Sequence, residues 1–250
     1  MNNTTIAQRS WRRAIAMLFV AMRYEIELRF LARELIYDDE EFSKRLWTAF
    51  DRHKDLYDEL TTNERILLRY EIGKWPLSVH TQYSWHVEAV GCLLWCLGEF
   101  KEFPSHDNSF ELKSIDKYFG TLGQQGITSW TNNLLEKSFD LIDGNIIQRE
   151  LKRAEIVYQR CIIGSYIRDG KRKMTTKRYD DLFSFEQYGL PVGPGGDLEI
   201  LGMEFCDTSK EIESDIAPLS LIRVQTFRWI MDPSENWDSL TVDHLENLPE

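Results

Sequence analysis

Apolar positions recur at helical spacing through most of the first hundred residues. Trp11, Ile15, Leu18, Met22 and Ile26 lie three or four apart, the stripe that an amphipathic helix turns toward a core. They predict a first helix over residues 5–37 with a break near Tyr24. The acidic run Asp38-Asp39-Glu40-Glu41 puts negative charge at the start of a second helix, which suits the positive end of a helix dipole. Phe42, Leu46 and Phe50 mark its buried face. Thr61-Thr62-Asn63-Glu64 reads as a capping box, in which the Thr61 hydroxyl and the Glu64 carboxylate each satisfy an orphan backbone donor, and it predicts a helix to Ile72. Pro76 interrupts the pattern.

The segment from Ser78 to Phe100 is the centre of the predicted fold. Tyr83, Val87, Val90, Leu94 and Leu97 make one stripe, and Trp85, Ala89, Cys92 and Cys96 an adjacent one, so its second half is apolar nearly all round. Such a helix must be enclosed by its neighbours. Gly98 stands near its end. Residues 101–144 are less regular, punctuated by Pro104, Gly120, Gly123 and Gly126. Helical order returns over 145–168 through Ile147, Leu151, Ala154, Tyr158 and Cys161, and Gly170 supplies a stop. Residues 189–197 hold four glycines and two prolines and read as a connector. Alternation from Asp197 to Cys206 predicts a strand or short hairpin. A last helix is expected from Pro218, in its first turn, to Met231, just before Pro233. The fold class is mainly α: a single multi-helix domain over 1–250, with a buried central helix, a small β element in the C-terminal third, and irregular or inserted stretches at 101–144 and 170–196.

Composition supports a packed core. Of 250 residues, 42% are apolar and 12% aromatic, which excludes a disordered or collagen-like chain. The formal charge of −11 is unevenly placed: residues 197–250 carry thirteen acidic and three basic side chains. That sign repels phosphate backbones and anionic headgroups, which argues against nucleic acid or membrane as partner and in favour of a basic protein. The cluster Lys171, Arg172, Lys173, Lys177 and Arg178 runs the other way and reads as a solvated loop. Cys92, Cys96, Cys161 and Cys206 sit in apolar settings, and no CxxC or His-x3-His accompanies the scattered His53, His80, His86, His106 and His244. No metal or other cofactor is expected, and reduced thiols fit a cytoplasmic setting. Arg9, Arg12 and Arg13 before nine uncharged residues imitate a signal peptide, but the helical stripe and the missing small-x-small site argue otherwise. The uncharged stretch 89–98 has ten residues, about half of a membrane span.

Few residues suggest chemistry. In the 189–197 loop, Pro191 and Pro194 remove two backbone donors and Asp197 adds repulsion, so it is a poor phosphate cradle. Glu88 lies one turn before the all-apolar part of the central helix. Desolvation there would raise its pKa and suit it to proton transfer, whereas an arginine would hold it ionised. Arg13 and Arg223 are the candidate partners, and a buried contact between Glu88 and Arg223 is expected as a fold-locking pair. Eight tryptophans include Trp85 and Trp95 on the central helix, Trp229 at the close of the last one, and Trp237 beside Asp238, placed to pin the tail.

Trp85-His86-Val87-Glu88-Ala89 followed by Leu93-Leu94-Trp95-Cys96-Leu97-Gly98 resembles the Trp-Arg-x-Glu-Ala and Leu-Leu-Trp-Ala-Leu-Gly signature of the bacterial domain of unknown function 4272. Arg13-Ala14, Leu60 to Glu64, Asp197 to Phe205 with Gly202, Arg223, Trp229-Ile230 and Trp237-Asp238 up to Asp243 are similar to that family's other landmarks, in the same order. The resemblance therefore spans residues 9–243. It departs at His86 (arginine in the family), at Ile222 (glutamate) and at Arg228 (asparagine). Three polar positions change while the tryptophans and glycines stand, a pattern that fits a structural role. The 170–196 connection is longer than the family's. The family has no established activity, so the resemblance implies fold and a bacterial cytoplasmic origin. Two functional readings follow: a non-enzymatic interaction or regulatory protein whose acidic C-terminal face binds a basic partner, and an enzyme with a pocket near Glu88 and Arg223.

Overall fold

The computed structural model describes residues 3–34, 39–83, 85–119, 127–170, 179–232 and 237. The fold is mainly α, with one two-stranded sheet among the described residues. Its contacts form two compact units: residues 1–103, 110–142 and 233–239 make the first, and residues 104–109, 143–232 and 240–250 the second. The basic cluster 171–178, the glycines at 120, 123 and 126, and most of the acidic tail, Asp238, Asp243 and His244 included, lie outside the described residues.

The first unit holds α1 (Asn3–Ala32), α2 (Asp39–Arg52), α3 (Lys54–Asp58), α4 (Thr62–Arg69), α5 (Leu77–Tyr83), α6 (His86–Cys96), α7 (Leu112–Phe119) and α8 (Ile127–Leu135). α1 runs unbroken through Tyr24 and packs along α6, with Trp11, Ile15, Leu18 and Ile26 of its apolar stripe buried and Met22 half-buried. The arginines that imitate a signal peptide serve packing. Arg9, Arg12 and Arg13 pair with Glu59, Asp55 and Glu64, carboxylates of the α3–α4 region.

The predicted 78–100 helix is two helices. Trp85 adopts φ −89°, ψ 0° and caps α6, and the break sets the Tyr83 ring against both Trp75 and His86. α6 itself is enclosed as expected: every residue from Glu88 to Cys96 is buried. Gly91 makes this possible, since a Cβ there would lie 2.3 Å from the Phe110 ring. At its end Gly98 has φ +76°, and Glu99 and Gly98 donate to the Leu94 and Trp95 carbonyls. That is the left-handed cap with paired 6→1 and 5→2 bonds that glycine accommodates. The irregular 101–144 stretch contains α7 and α8.

The second unit is built on α9 (Gly144–Arg168) packed along α11 (Lys210–Met231), with the short α10 (Asp180–Phe183) and the hairpin β1 (Glu199–Ile200) and β2 (Met203–Glu204) between them in sequence. Glu199 opposes Glu204 and Ile200 opposes Met203. The two-residue turn places Leu201 at φ 51° and Gly202 at φ 79°, the left-handed pair that a tight right-twisted hairpin demands. α11 begins eight residues before the predicted start at Pro218. Ser209 accepts from the Ile212 amide as N-cap, and Glu211 and Glu213 occupy the first turn. These signals outweigh the proline, which sits inside the helix between the buried Ile216 and Leu219. Cys206 is exposed rather than in an apolar setting, because it falls on a 3-10 turn after β2. No described helix is long and apolar enough to cross a membrane.

Candidate functional site

The densest polar chemistry of the first unit gathers on Glu64. The capping box puts its carboxylate on the Thr61 amide at 2.8 Å, and two longer-range partners share it. Arg13 forks onto both oxygens at 2.6 and 2.8 Å, and its Nη1 also donates to the Glu59 carbonyl at 2.7 Å. His86 Nε2 lies 3.0 Å from Oε1. Burial would raise the Glu64 carboxyl, but the Arg13 charge and the bonds from His86 and Arg13 outweigh it and hold the group well below the usual carboxylate range. An ionised Glu64 can only accept, so His86 Nε2 carries the proton. The Tyr83 ring stacks on His86 at 4.5 Å, and the Trp237 ring lies 4.6 Å from the Arg13 guanidinium carbon.

This cluster joins two residues singled out from sequence, His86 and Trp237, to Arg13. Glu64 was legible only as a cap. The signal for its second role was Arg13 itself, a cation abutting the uncharged run 14–22. Both Glu64 oxygens are taken, and Arg13, Glu64 and His86 are each at most 4% exposed, while His86 Nδ1 and Arg13 Nε are buried with no partner among the described residues. Neighbouring Glu59 shows the opposite balance, its carboxyl raised by burial in spite of Arg9, Arg13 and Arg12.

The two members of the pair expected from sequence fall in different units. Glu88, 2% exposed, accepts from the Phe110 amide at 2.8 Å and has the Cys92 thiol within reach. Arg223, 3% exposed, donates to the Ser105 and Asn108 carbonyls at 3.0 and 2.5 Å. Arg13, the other candidate partner, is held by Glu64. Of the remaining signature residues, Trp95 packs on Phe103, Trp229 is buried, and Trp85 is half-buried at the α5–α6 break.

Among the described residues of the first unit a groove of about 1080 Å³ opens between α2 and the end of α4. Phe30, Trp47 and Tyr70 give it aromatic walls, and Phe30 and Tyr70 are each 41% exposed. Gly73 helps to shape it: a Cβ there would lie 2.3 Å from the Phe30 ring. Arg69 stands over the Trp47 ring at 5.2 Å and donates to the Tyr57 hydroxyl at 3.1 Å. Other lining charges are compensated, Asp39 by Arg29 and Glu40 by Lys44, whereas Glu71 is exposed with no ion pair among the described residues.

The acidic C-terminal region divides. Asp197 and Glu213 are buried against Arg160 and Arg168. Asp207, Glu211, Asp215 and Asp232 are exposed. The glycine-rich loop serves an internal anion: Gly195 donates to Glu204 at 2.5 Å, and side chains at Gly193 or Gly195 would collide with that carboxylate. Glu204, Cys206 and Asp207 place ligand atoms within 4.8 Å of one another, but backbone donors already occupy Glu204. Burial together with Asp197 and Asp207 raises the Cys206 thiol, which opposes the thiolate that a metal needs.

Residues 6–133 match a family described as a domain of unknown function (DUF4272). The match covers the Arg13, Glu64 and His86 cluster and the groove, and ends before Asp197, Arg223, Trp229 and Trp237. No curated protein and no solved structure matches significantly.

Proposed function

The chain belongs to the DUF4272 family, and from that premise we propose that it is a binding protein rather than an enzyme, whose α2–α4 groove takes a segment of a protein partner in the bacterial cytoplasm. The observation that carries this reading is the contrast within one unit. Titratable groups able to do chemistry are buried and bonded to one another, while aromatic side chains stand exposed in a groove. Aromatic anchors in a concave site are what peptide recognition uses, and a stacked Arg69 beside Glu71, which is exposed and without an ion pair among the described residues, offers orientation to a polar chain. Reduced thiols, three of them buried, support the compartment.

An acidic surface for a basic partner is a second reading, supported by Asp207, Glu211 and Asp215 exposed at the start of α11. The enzyme reading centred on Glu88 and Arg223 has less support, since both are nearly sealed and hold backbone partners. Selection of a random peptide library displayed on phage tests the proposal. A consensus with an apolar anchor, enriched on the wild-type chain and lost on Trp47→Ala, is expected. Equal recovery on both proteins contradicts it. A basic consensus that survives Trp47→Ala and is lost on Glu211→Lys would favour the second reading.

A further inference from the structure

Carboxylates outnumber cations in this chain, whose formal charge is −11, and Arg9, Arg12, Arg13, Arg23, Arg29 and Arg45 of the first unit each meet one. Arg69, exposed on the wall of the groove, meets none among the described residues. Aromatic groups hold it instead. Its guanidinium carbon lies 5.2 Å from the Trp47 ring centre, and its Nη2 donates to the Tyr57 hydroxyl at 3.1 Å. Tyr57 is fixed in turn: its ring stands nearly perpendicular to that of Trp47 at 6.1 Å, and the Arg65 guanidinium covers it at 4.5 Å while donating to the Asp58 carbonyl.

This clamp leaves donors uncommitted. Arg69 Nε and Nη1 and the Trp47 indole N–H make no hydrogen bond among the described residues, whereas the indoles of Trp11, Trp75 and Trp130 each donate to a carbonyl. Arg69 and Trp47 border the same open volume of about 1080 Å³. A guanidinium stacked on a ring presents its planar fork already oriented, so little side-chain freedom is lost when a carboxylate takes it.

The other charges narrow the ligand. Asp39, Glu40 and Glu71 also line the groove. Arg29 and Lys44 compensate the first two, and Glu71 stands two residues from Arg69. A polyphosphate or a nucleic acid would meet these carboxylates, whereas a single negative charge matches the single uncommitted cation.

We propose, resting on the groove reading above, that Arg69 and Trp47 recognise one side-chain carboxylate of the bound segment, an aspartate or glutamate beside its apolar anchor. Tyr57 is the positioning residue that holds the guanidinium for it.

Panning a random phage-displayed peptide library on the full chain, on Arg69→Gln and on Arg69→Glu tests this. Expected on the wild type is an apolar anchor with an acidic residue at fixed spacing. On Arg69→Gln the anchor stays and the acidic preference is lost, and on Arg69→Glu a basic residue takes that position. An anchored wild-type consensus with no acidic position overturns this inference and leaves the groove reading standing, whereas the lack of any anchored consensus overturns both. An acidic consensus unchanged on Arg69→Gln overturns it as well. In calorimetry, replacing the acid of a selected peptide by its amide should weaken binding about tenfold on the wild type, the scale of one charge-assisted hydrogen bond, and leave binding to Arg69→Gln unchanged. Tyr57→Phe should shrink that ratio without altering the affinity of the amide peptide, which a merely structural role would not do. A phosphoserine that binds more tightly than the acid it replaces would make the ligand a phosphate and the carboxylate assignment wrong.

Discussion

Replacing Glu64 by glutamine tests whether the polar cluster of the first unit is a structural lock. The substitution keeps shape and leaves the capping-box geometry available, because glutamine serves at that position as well as glutamate. It removes the charge that compensates Arg13, whose side chain is 1% exposed against 2% for Glu64. Breaking one partner of a buried pair costs about 3–5 kcal/mol, because a cation is left in a medium that cannot solvate it. Removing both charges costs less, so Arg13→Met combined with Glu64→Gln should be closer to wild type than the sum of the single variants. Urea unfolding followed by tryptophan fluorescence reads all four proteins. The acid limb supplies a second readout. Because the folded Glu64 carboxyl is held below its usual value, the stability it contributes is present above that value and is lost as pH falls. Glu64→Gln should flatten this limb. A single-variant cost below about 1 kcal/mol, the range of exposed pairs, or additivity in the double variant, would refute the reasoning.

Three further outcomes follow from other parts of the molecule. His106 is buried against the Glu199 carbonyl, and burial lowers its pKa; stability should therefore fall as pH drops below the unperturbed 6.5, where the unfolded chain binds the proton first, and His106→Gln should remove that slope in pH-dependent urea titrations. Burial pushes the Cys161 thiol up to about 12 and the Cys96 thiol up as well, so iodoacetamide on the native protein should modify the exposed Cys206 first, as read by peptide mass spectrometry. Gly91→Ala drives a methyl into the Phe110 ring, 2.3 Å away, and should cost about 1–3 kcal/mol by overpacking; an unchanged urea midpoint would mean that Phe110 does not seat on α6.

Local signals were legible in the sequence and long-range ones were not. The capping box at Thr61 and Glu64 forms as read, α9 starts one residue before its predicted position and ends on Arg168, and the hairpin after Asp197 follows from alternation and a glycine turn. Each is decided within a few residues. Pro218 suits a first turn and so points to a late start for α11, but Ser209 followed by Glu211 and Glu213 is the stronger set of start signals. The break at Trp85 leaves no mark in the sequence pattern because the apolar stripes continue across it. Which arginine meets which carboxylate depends on elements far apart in the chain: Arg13 reaches a carboxylate fifty-one residues away. Spacing carries nothing about such a contact, and the acidic excess after Asp197 likewise could not reveal that Asp197 and Glu213 are buried in ion pairs.

The central claim is that the buried cluster holds the fold while the groove does the binding. Its most direct test is the affinity of a library-selected peptide for Glu64→Gln, measured by calorimetry where circular dichroism shows that variant folded. A dissociation constant equal to that of the wild type is predicted, whereas a tenfold loss, about 1.4 kcal/mol, would place Glu64 in the binding machinery and contradict the account.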